Sequence, residues 1–277
     1  MVIVQLTNGL GNNIFQYVAA RMLAEYHNTD ASVLLPYSGY YAESALKKLG
    51  IKISDGGCPL DNVVNITDAN YLDAFDTVNA VNNLFLHGYF EDYKYYIKDV
   101  EKIKTWFPSV KKRVNNDLVL HFRGGDRLLY KNTFEYKPSP EKYLKALKNF
   151  DYDKLHIVTD MPEWRHFSAL EMKNLTTHVG VPYDNMVNPQ RAADYFNALV
   201  DAFSPHDPLC KKRTLADDFN FIRSFDNILF EHGTLGWWGG VLSEASRVGV
   251  YGPWRPWKGK TNKNLSQINL KGWFRWH

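Results

Sequence analysis

Short apolar runs alternate with helical periodicity along most of the chain. The first run, at 2–6, is followed by apolar residues at helical spacing over 13–27 and by a second run at 32–35. This order predicts a β-α-β unit, the building block of a parallel sheet with right-handed crossovers. Further strands are predicted at 63–66, 84–86, 118–122, 155–159, 227–231 and 248–251, and further helices at 93–106, 162–173, 189–203 and 236–246. The predicted fold class is therefore α/β.

Two helix starts carry a local signature. Pro140 follows Ser139, an arrangement in which serine caps the helix and proline takes its first position. Thr214 and Asp217 stand at the spacing of a capping box, in which each side chain binds the other residue's backbone amide. We therefore expect helices to begin at both places.

The pattern becomes more regular after Pro108 and the polar stretch KKRVNND at 111–117. A chain of 277 residues with 45% apolar composition suits one large domain or two of ordinary size. We predict a boundary near 108–117, with an N-terminal domain at 1–112 and a C-terminal domain at 113–277.

Composition and net charge limit the kinds of partner and the cellular compartment that we expect for the protein. A formal net charge of +3, without a basic stripe, is too mild to indicate nucleic acid. The two cysteines form neither a disulfide framework nor a metal-ligand spacing, which favours a reducing compartment. No basic leader and no run of about 18 apolar residues occurs, so we expect a soluble, cytoplasmic protein without a membrane-spanning segment. The 15% aromatic content is typical of sugar- or base-binding proteins, and equally of cores built from large side chains.

The sharpest candidate site is LHFRGGDR at 120–127, where a predicted buried strand ends in polar residues. Strand alternation directs His121 and Arg123 to one side and Phe122 into packing. Arg123 can bind a phosphate through two parallel hydrogen bonds, beside glycines that admit the ligand to the backbone. The alternative is an Arg123–Asp126 ion pair that ties a turn. We favour the phosphate, because an isolated surface ion pair stabilises little.

TNGLGNNIFQ at 7–16 is a second candidate. Gly9 and Gly11 lie between a strand and a helix, where glycine permits unusual torsions and the helix start presents amides to an anion. The segment lacks the third glycine of the dinucleotide fingerprint and the lysine of the Walker loop. A tight structural turn explains it as well as a phosphate or sugar site does.

Two further strand ends carry polar residues. In FEHGTLGWWGG at 230–240, Thr234 is predicted as an N-cap whose hydroxyl could bind a diphosphate, whereas Trp237 and Trp238 can be simple packing residues. In HIVTDMPEW at 156–164, Asp160 could accept hydrogen bonds from a base or ribose. An ordinary N-cap explains Asp160 equally well.

Other signals point away from metal and hydrolase chemistry. DYD at 151–153 has the form of a metal-binding Asp-x-Asp, but it falls in a polar turn before a strand. The chain contains no HExxH, no paired CxxC and no GxSxG. The chain therefore lacks the characteristic residues of zinc hydrolases and serine hydrolases.

Taken in order, five segments resemble the α-1,2-fucosyltransferase family and its wider relatives. They are TNGLGNNIFQY, LHGYFEDYKYY at 86–96, HFRGGDR, HIVTDMPEW and DFNFIRSFDNILFEHGTLGWWGGVLSEAS at 218–246. The family counterparts read GGLGNQMFQY, GYWQSEKYF, HxRRGDY, a strand ending in SDD, and a block ending in SSFSWWGAWL. The resemblance covers nearly the whole chain. It implies a GT-B architecture of two Rossmann-like domains facing a cleft, with inverting transfer of a sugar, by default L-fucose from GDP-fucose, onto a glycan hydroxyl. It also implies that the reaction needs no metal and no bound cofactor.

The resemblance also implies residue roles. Arg123 matches the arginine that stabilises the departing diphosphate, His121 a nucleotide-contacting histidine, Asp160 a carboxylate near the base, and Thr234 a phosphate-binding hydroxyl. The loop that borders the sugar matches Gly9, Gly11 and Asn12. The C-terminal domain would then bind the nucleotide sugar and the N-terminal domain the acceptor. Asp126 is our first candidate for the general base, ahead of Glu91 and Asp92.

Three positions depart from the family pattern. Gly124 replaces the second arginine of HxRRGD, Met161 follows Asp160, and Gly236 replaces the serine before the paired tryptophans. The loss of a cation beside the diphosphate leaves the donor open. A relative that uses another nucleotide sugar, such as UDP-xylose, is one alternative, and a non-catalytic carbohydrate- or nucleotide-binding protein is another.

Overall fold

A computed structural model describes residues 1–55, 62–77, 83–122, 140–159, 175–179, 214–231, 233–251 and 270–276. These residues form helices and two parallel sheets, of four and six strands. The α/β class predicted from the sequence is confirmed, and two parallel sheets are compatible with two Rossmann-like domains. The compact units divide between Ser109 and Val110.

The first unit is built on the four-stranded sheet. Its strands are β1 (Val2–Gln5), β2 (Ala31–Leu34), β3 (Val63–Ile66) and β4 (Asn83–Leu86). Its helices are α1 (Leu10–Tyr26), α2 (Glu43–Lys48), α3 (Asp73–Thr77) and α4 (Val100–Lys104), with a 3₁₀ turn at Tyr93–Tyr95. The strand order is β2-β1-β4-β3, and every neighbouring pair is parallel.

The second unit is built on the six-stranded sheet. Its strands are β5 (Leu118–Phe122), β6 (Leu155–Thr159), β7 (Leu175–Val179), β8 (Asn227–Phe230), β9 (Arg247–Tyr251) and β10 (Trp273–Trp276). Its described helices are α5 (Pro140–Leu147), α6 (Leu215–Arg223) and α7 (Thr234–Val241). The order is β10-β9-β8-β5-β6-β7, again parallel throughout.

The central strands of the second unit are buried along their whole length. Every residue of β5, β6 and β8 is buried, as expected for a parallel sheet covered on both faces. One core cluster joins the Leu118, Leu120 and Phe122 face of β5 to Tyr143 and Leu147 of α5. Continuous apolar runs in the sequence thus correspond to strands packed on both sides.

Several predicted elements differ from the observed ones. The helix predicted at 93–106 is instead the 3₁₀ turn followed by α4, because Asp99 leaves the helical conformation (φ −114°, ψ 13°) and serves as the N-cap of α4. The helix predicted at 236–246 begins at Thr234 and ends at Val241. Strands β7 and β10 were not predicted. The helices predicted at 162–173 and 189–203 lie outside the described residues.

Candidate functional site

The carboxyl ends of β5 and β8 lie side by side at the point where the strand order of the second unit reverses. Strands β6 and β7 continue the sheet on the β5 side, whereas β9 and β10 continue it on the β8 side. Connections that leave two adjacent strands in opposite directions open a crevice, and open α/β sheets bind their ligands there. The register pairs His121 with Phe230, so two segments far apart in sequence end at this point.

The two faces of the sheet separate the side chains of this crevice. His121 and Phe230 lie toward α7, because a Cβ built on Gly236 would be 2.8 Å from His121 Nδ1 and 2.9 Å from Phe230 Cβ. Phe122 lies toward α5, where its ring centroid is 6.1 Å from that of Tyr143. The prediction that Phe122 packs into the core is confirmed, since it is fully buried in the main cluster.

Gly236 is required by the position of His121. The His121 side chain is largely buried, and its ring occupies the space beside the first turn of α7. Any larger residue at 236 would place its Cβ closer to both neighbours than Cβ atoms approach other atoms in proteins. The glycine therefore accompanies a close approach of His121 to α7.

Thr234 lies at the start of α7, but the prediction that it is the N-cap is wrong. Gly233 is the N-cap, in an extended conformation, and its carbonyl accepts the first helical hydrogen bond from the Trp237 amide at 3.1 Å. Thr234 is the first helical residue and is buried. The first amides of a helix have no partner within it, so this helix end suits an anion.

Trp237 and Trp238 are packing residues. Both are buried, and their ring centroids are 4.8 Å apart with the planes perpendicular. Their burial and mutual packing are those of core residues.

Glu231 is a polar residue of this crevice that the sequence analysis did not select. It follows β8 directly, is buried, and accepts a 2.8 Å hydrogen bond from the Tyr143 hydroxyl. Burial and the neighbouring Glu231 carboxylate raise the pKa of Tyr143 well above its ordinary value, so Tyr143 stays a hydrogen-bond donor. The available signal was a carboxylate directly after the apolar run at 228–230.

Side chains of α1 bind both the N-terminal loop of the first unit and the segment that follows β4. Gln16 Nε2 donates to Thr7 Oγ1 at 2.7 Å and to the Gly88 carbonyl at 2.9 Å. Asn13 Nδ2 donates to the Thr7 carbonyl at 2.8 Å. The TNGLGNNIFQ and LHGYFEDY segments therefore meet where β1 and β4 end side by side.

The predicted loop residues belong to the start of α1. Gly9 is the N-cap with φ −77° and ψ 163°, a conformation open to any residue, and Gly11 and Asn12 lie in the first turn. Neither glycine has a positive φ, whereas Asn8 adopts a left-handed conformation (φ 62°). Gly9 and Gly11 are buried, whereas Asn12 is partly exposed.

The two lower-ranked candidate bases lie in structured surroundings. Asp92 caps the 3₁₀ turn by accepting from the Lys94 amide at 3.0 Å. Glu91 is buried. Arg123, Asp126 and Asp160 lie outside the described residues; Arg123 follows the last residue of β5, and Asp160 follows the last residue of β6.

Comparisons with known proteins add no family. No protein-family model and no curated protein matches the chain. Within the described ranges, no group of three metal-ligating side chains is found. No helix in the same part of the chain is long and apolar enough to cross a membrane.

Proposed function

We propose that this protein is an inverting, metal-independent glycosyltransferase of GT-B architecture. By default it transfers L-fucose from GDP-fucose to a glycan hydroxyl. A donor with a different base or sugar, such as UDP-xylose, would use the same scaffold. The nucleotide sugar would bind in the crevice between the loops after β5 and β8.

One observation carries the proposal. The HFRGGDR and FEHGTLGWW segments were selected separately from the sequence, and the described ends of both segments meet at the β5/β8 switch point. A switch point is where a parallel sheet binds nucleotides. The segments also occur in the order of the resembling transferases, so topology and motif order support the same class of enzyme.

The described residues suggest how the donor would be bound. Thr234 and the first-turn amides of α7 suit the β-phosphate, and His121 beside them suits the nucleotide. In the proposed reaction an acceptor hydroxyl attacks the anomeric carbon, the bond to the β-phosphate oxygen breaks, and Asp126 takes the hydroxyl proton. Arg123 would stabilise the charge that develops on the departing diphosphate.

The first test is a calorimetric panel of GDP, UDP and their sugars with the whole chain. We expect one nucleotide family to bind, and its sugar to be released or transferred on incubation with a mixed glycan acceptor. If UDP or a UDP-sugar binds more tightly than GDP or GDP-fucose, the donor is not GDP-fucose, but the transferase proposal stands. Absence of binding by every nucleotide would overturn the proposal, and binding without turnover would favour the non-catalytic alternative.

Thr234 offers a test within the described site. Thr234→Val keeps the buried shape but removes the hydroxyl, so kcat/KM should fall about 10- to 100-fold, the worth of a hydrogen bond to a charged group. Thr234→Ser keeps the hydroxyl and should retain most activity. If the two variants have equal kcat/KM values, the Thr234 hydroxyl does not bind the phosphate.

Arg123 tests the charge stabilisation. Arg123→Ala should cost about 2–4 kcal/mol of transition-state stabilisation, as loss of one preorganised donor does. Arg123→Lys keeps the positive charge but cannot make two parallel hydrogen bonds, so its kcat/KM should lie between those of Arg123→Ala and the parent. Near-parent activity of Arg123→Ala would contradict the assigned role.

A further inference from the structure

Tyrosine side chains gather at one edge of the first unit's sheet. Strands β1, β2 and β4 are parallel neighbours, so the segments that follow them emerge at the same edge. Tyr37, after β2, is 53% exposed. Tyr41 and Tyr89 are half-buried, and Asn8, after β1, is exposed. We call these four residues the tyrosine patch.

Buried Tyr40 orients the rings of the patch. Its ring packs edge-on against Tyr37, with centroids 5.5 Å apart and planes at 89°, and against Tyr41 at 4.8 Å and 69°. Its hydroxyl lies within hydrogen-bond distance of two acceptors, the Asn8 carbonyl and Asn13 Oδ1, which share its one hydrogen. Tyr37 and Tyr41 are thus packed against an immobilised side chain, which reduces the ordering cost of binding a ligand.

Asn8 links the remaining tyrosines. Tyr41 donates its hydroxyl hydrogen to the Asn8 carbonyl at 2.7 Å, and Asn8 Nδ2 donates to the Tyr89 hydroxyl at 2.7 Å. Asn8 adopts a left-handed conformation (φ 62°), which asparagine tolerates better than most residues. A continuous series of contacts therefore runs from Tyr37 through Tyr40, Tyr41 and Asn8 to Tyr89.

The patch is aromatic and hydroxylic. Its three segments, at 7–13, 35–42 and 87–90, contain His87 but no Asp, Glu, Lys or Arg. The neighbouring Asp68 carboxylate accepts from the Tyr89 amide at 3.0 Å and from the Phe90 amide at 2.7 Å, which adds negative charge beside the patch. A phosphate-bearing ligand would therefore meet a carboxylate and no Lys or Arg of these segments. A neutral sugar presents an apolar C–H face that can stack on a tyrosine ring and hydroxyls that can bond phenol and amide groups.

We propose that the tyrosine patch binds a neutral oligosaccharide, which is the acceptor if the proposed transferase function holds. Tyr37 stacks on one sugar ring, and Asn8, Tyr41 and Tyr89 provide the polar partners. The proposal assigns the uncharged ligand to the first unit and leaves the charged donor to the second.

The test uses the whole chain on an array of neutral oligosaccharides printed beside sialylated and phosphorylated ones. We expect neutral oligosaccharides to bind, and Tyr37→Ala to weaken that binding about tenfold through loss of the stacking ring. Tyr26→Ala is the matched control, because Tyr26 is 59% exposed at the far end of α1. It should bind as the parent does.

A second variant tests the polar partner. Asn8→Gly keeps the left-handed backbone but removes the amide that positions Tyr89, so it should also weaken oligosaccharide binding. Calorimetry with GDP and UDP should give parent affinities for both patch variants. A circular dichroism spectrum equal to the parent's would show that the folds are intact.

The outcomes separate this proposal from the transferase proposal. The patch assignment is overturned if no neutral oligosaccharide binds, if charged ones bind more tightly, or if Tyr37→Ala equals Tyr26→Ala. If Tyr37-dependent binding is found but no nucleotide binds, the patch stands and the transferase proposal fails. If nucleotide binds and turns over while patch variants are unaffected, the transferase stands and the patch fails.

Discussion

At position 236 the chain has a glycine, and His121 occupies the space that a larger side chain would need. A Cβ at 236 would lie 2.8 Å from His121 Nδ1 and 2.9 Å from Phe230 Cβ. The nearer of these neighbours belongs to a residue that we place in the nucleotide site. The absence of one methyl group thus positions a candidate binding residue.

We expect Gly236→Ala to lower the free energy of unfolding by about 1–3 kcal/mol, the usual cost of overpacking a filled interior. The added methyl group should also displace His121 and weaken nucleotide binding. Urea unfolding and calorimetry with the preferred nucleotide would measure the two effects.

The double variant His121→Ala/Gly236→Ala is the control for this clash. Removal of the imidazole frees part of the space, so the double variant should lose less stability than the sum of the single losses. Additive losses would show that His121 does not limit the space at 236.

His156 lies on β6 in a second polar cluster, near the amino ends of the strands. Its Nε2 is 3.0 Å from Asp117 Oδ2, its ring packs edge-on against Phe221 and Phe225, and Arg113 lies 3.8 Å from the same Asp117 oxygen. Burial lowers the pKa of His156 although Asp117 raises it, with Arg113 and Lys154 lowering it further. The cluster therefore favours neutral histidine.

This pKa direction predicts acid sensitivity. Below about pH 6.5, the ordinary histidine value, the unfolded chain binds a proton at His156 that the folded chain resists, so the free energy of unfolding falls with the pH. His156→Gln should reduce this fall between pH 7.5 and 5, measured by urea unfolding. An unchanged slope in His156→Gln would refute the assignment.

At the scale of elements, the capping box predicted from the sequence is present at the start of α6. Thr214 Oγ1 accepts from the Asp217 amide at 3.3 Å, and Asp217 Oδ2 accepts from the Thr214 amide at 2.9 Å. The predicted capping box is confirmed. It also sets where α6 begins, and α6 carries Phe221, which packs against His156.

Thr214→Ala removes the capping hydroxyl and should lower the free energy of unfolding by about 1 kcal/mol. Thr214→Ser keeps an acceptor at the same place and should stay close to the parent. Thermal and urea unfolding would compare the three proteins, and equal stability of Ala and Ser would show that the cap contributes little.

At the scale of the whole molecule, β10 completes the second sheet beside β9. Trp276 is buried in the main cluster, with its ring centroid 5.1 Å from Tyr143 and 4.7 Å from Tyr251. Its Nε1 donates to the Phe230 carbonyl at 3.3 Å, next to Glu231. The last described strand thus supports the helix and the strand that border the candidate site.

Trp276→Ala should destabilise the protein by about 3–5 kcal/mol, because a large buried side chain is lost and the cavity does not close. Arg275→Ala, at an exposed position of the same strand, should cost little. Chemical unfolding of both variants would measure their free energies of unfolding against the parent's. A small loss in Trp276→Ala would mean that β10 is dispensable for the second unit.

Several strands and candidate site residues could be predicted from the local sequence alone. Strands β3, β5 and β6 were predicted at their observed bounds, because each is a short run rich in apolar residues; β5 and β6 are buried along their whole length, whereas β3 is only partly buried. The sequence also indicated His121, Thr234 and the loop around Gly9 as candidate site residues. Polar residues and glycines directly after an apolar run can be recognised without a structure.

Only the tertiary structure decided which strand ends are neighbours. The order β10-β9-β8-β5-β6-β7 depends on pairing between distant segments, and no local pattern specifies it. The same holds for the Glu231–Tyr143 hydrogen bond, the fit of His121 against Gly236, and the tyrosine patch. Backbone propensity and burial are encoded by neighbours along the chain, whereas a site is created by packing among residues that the chain brings together from far apart.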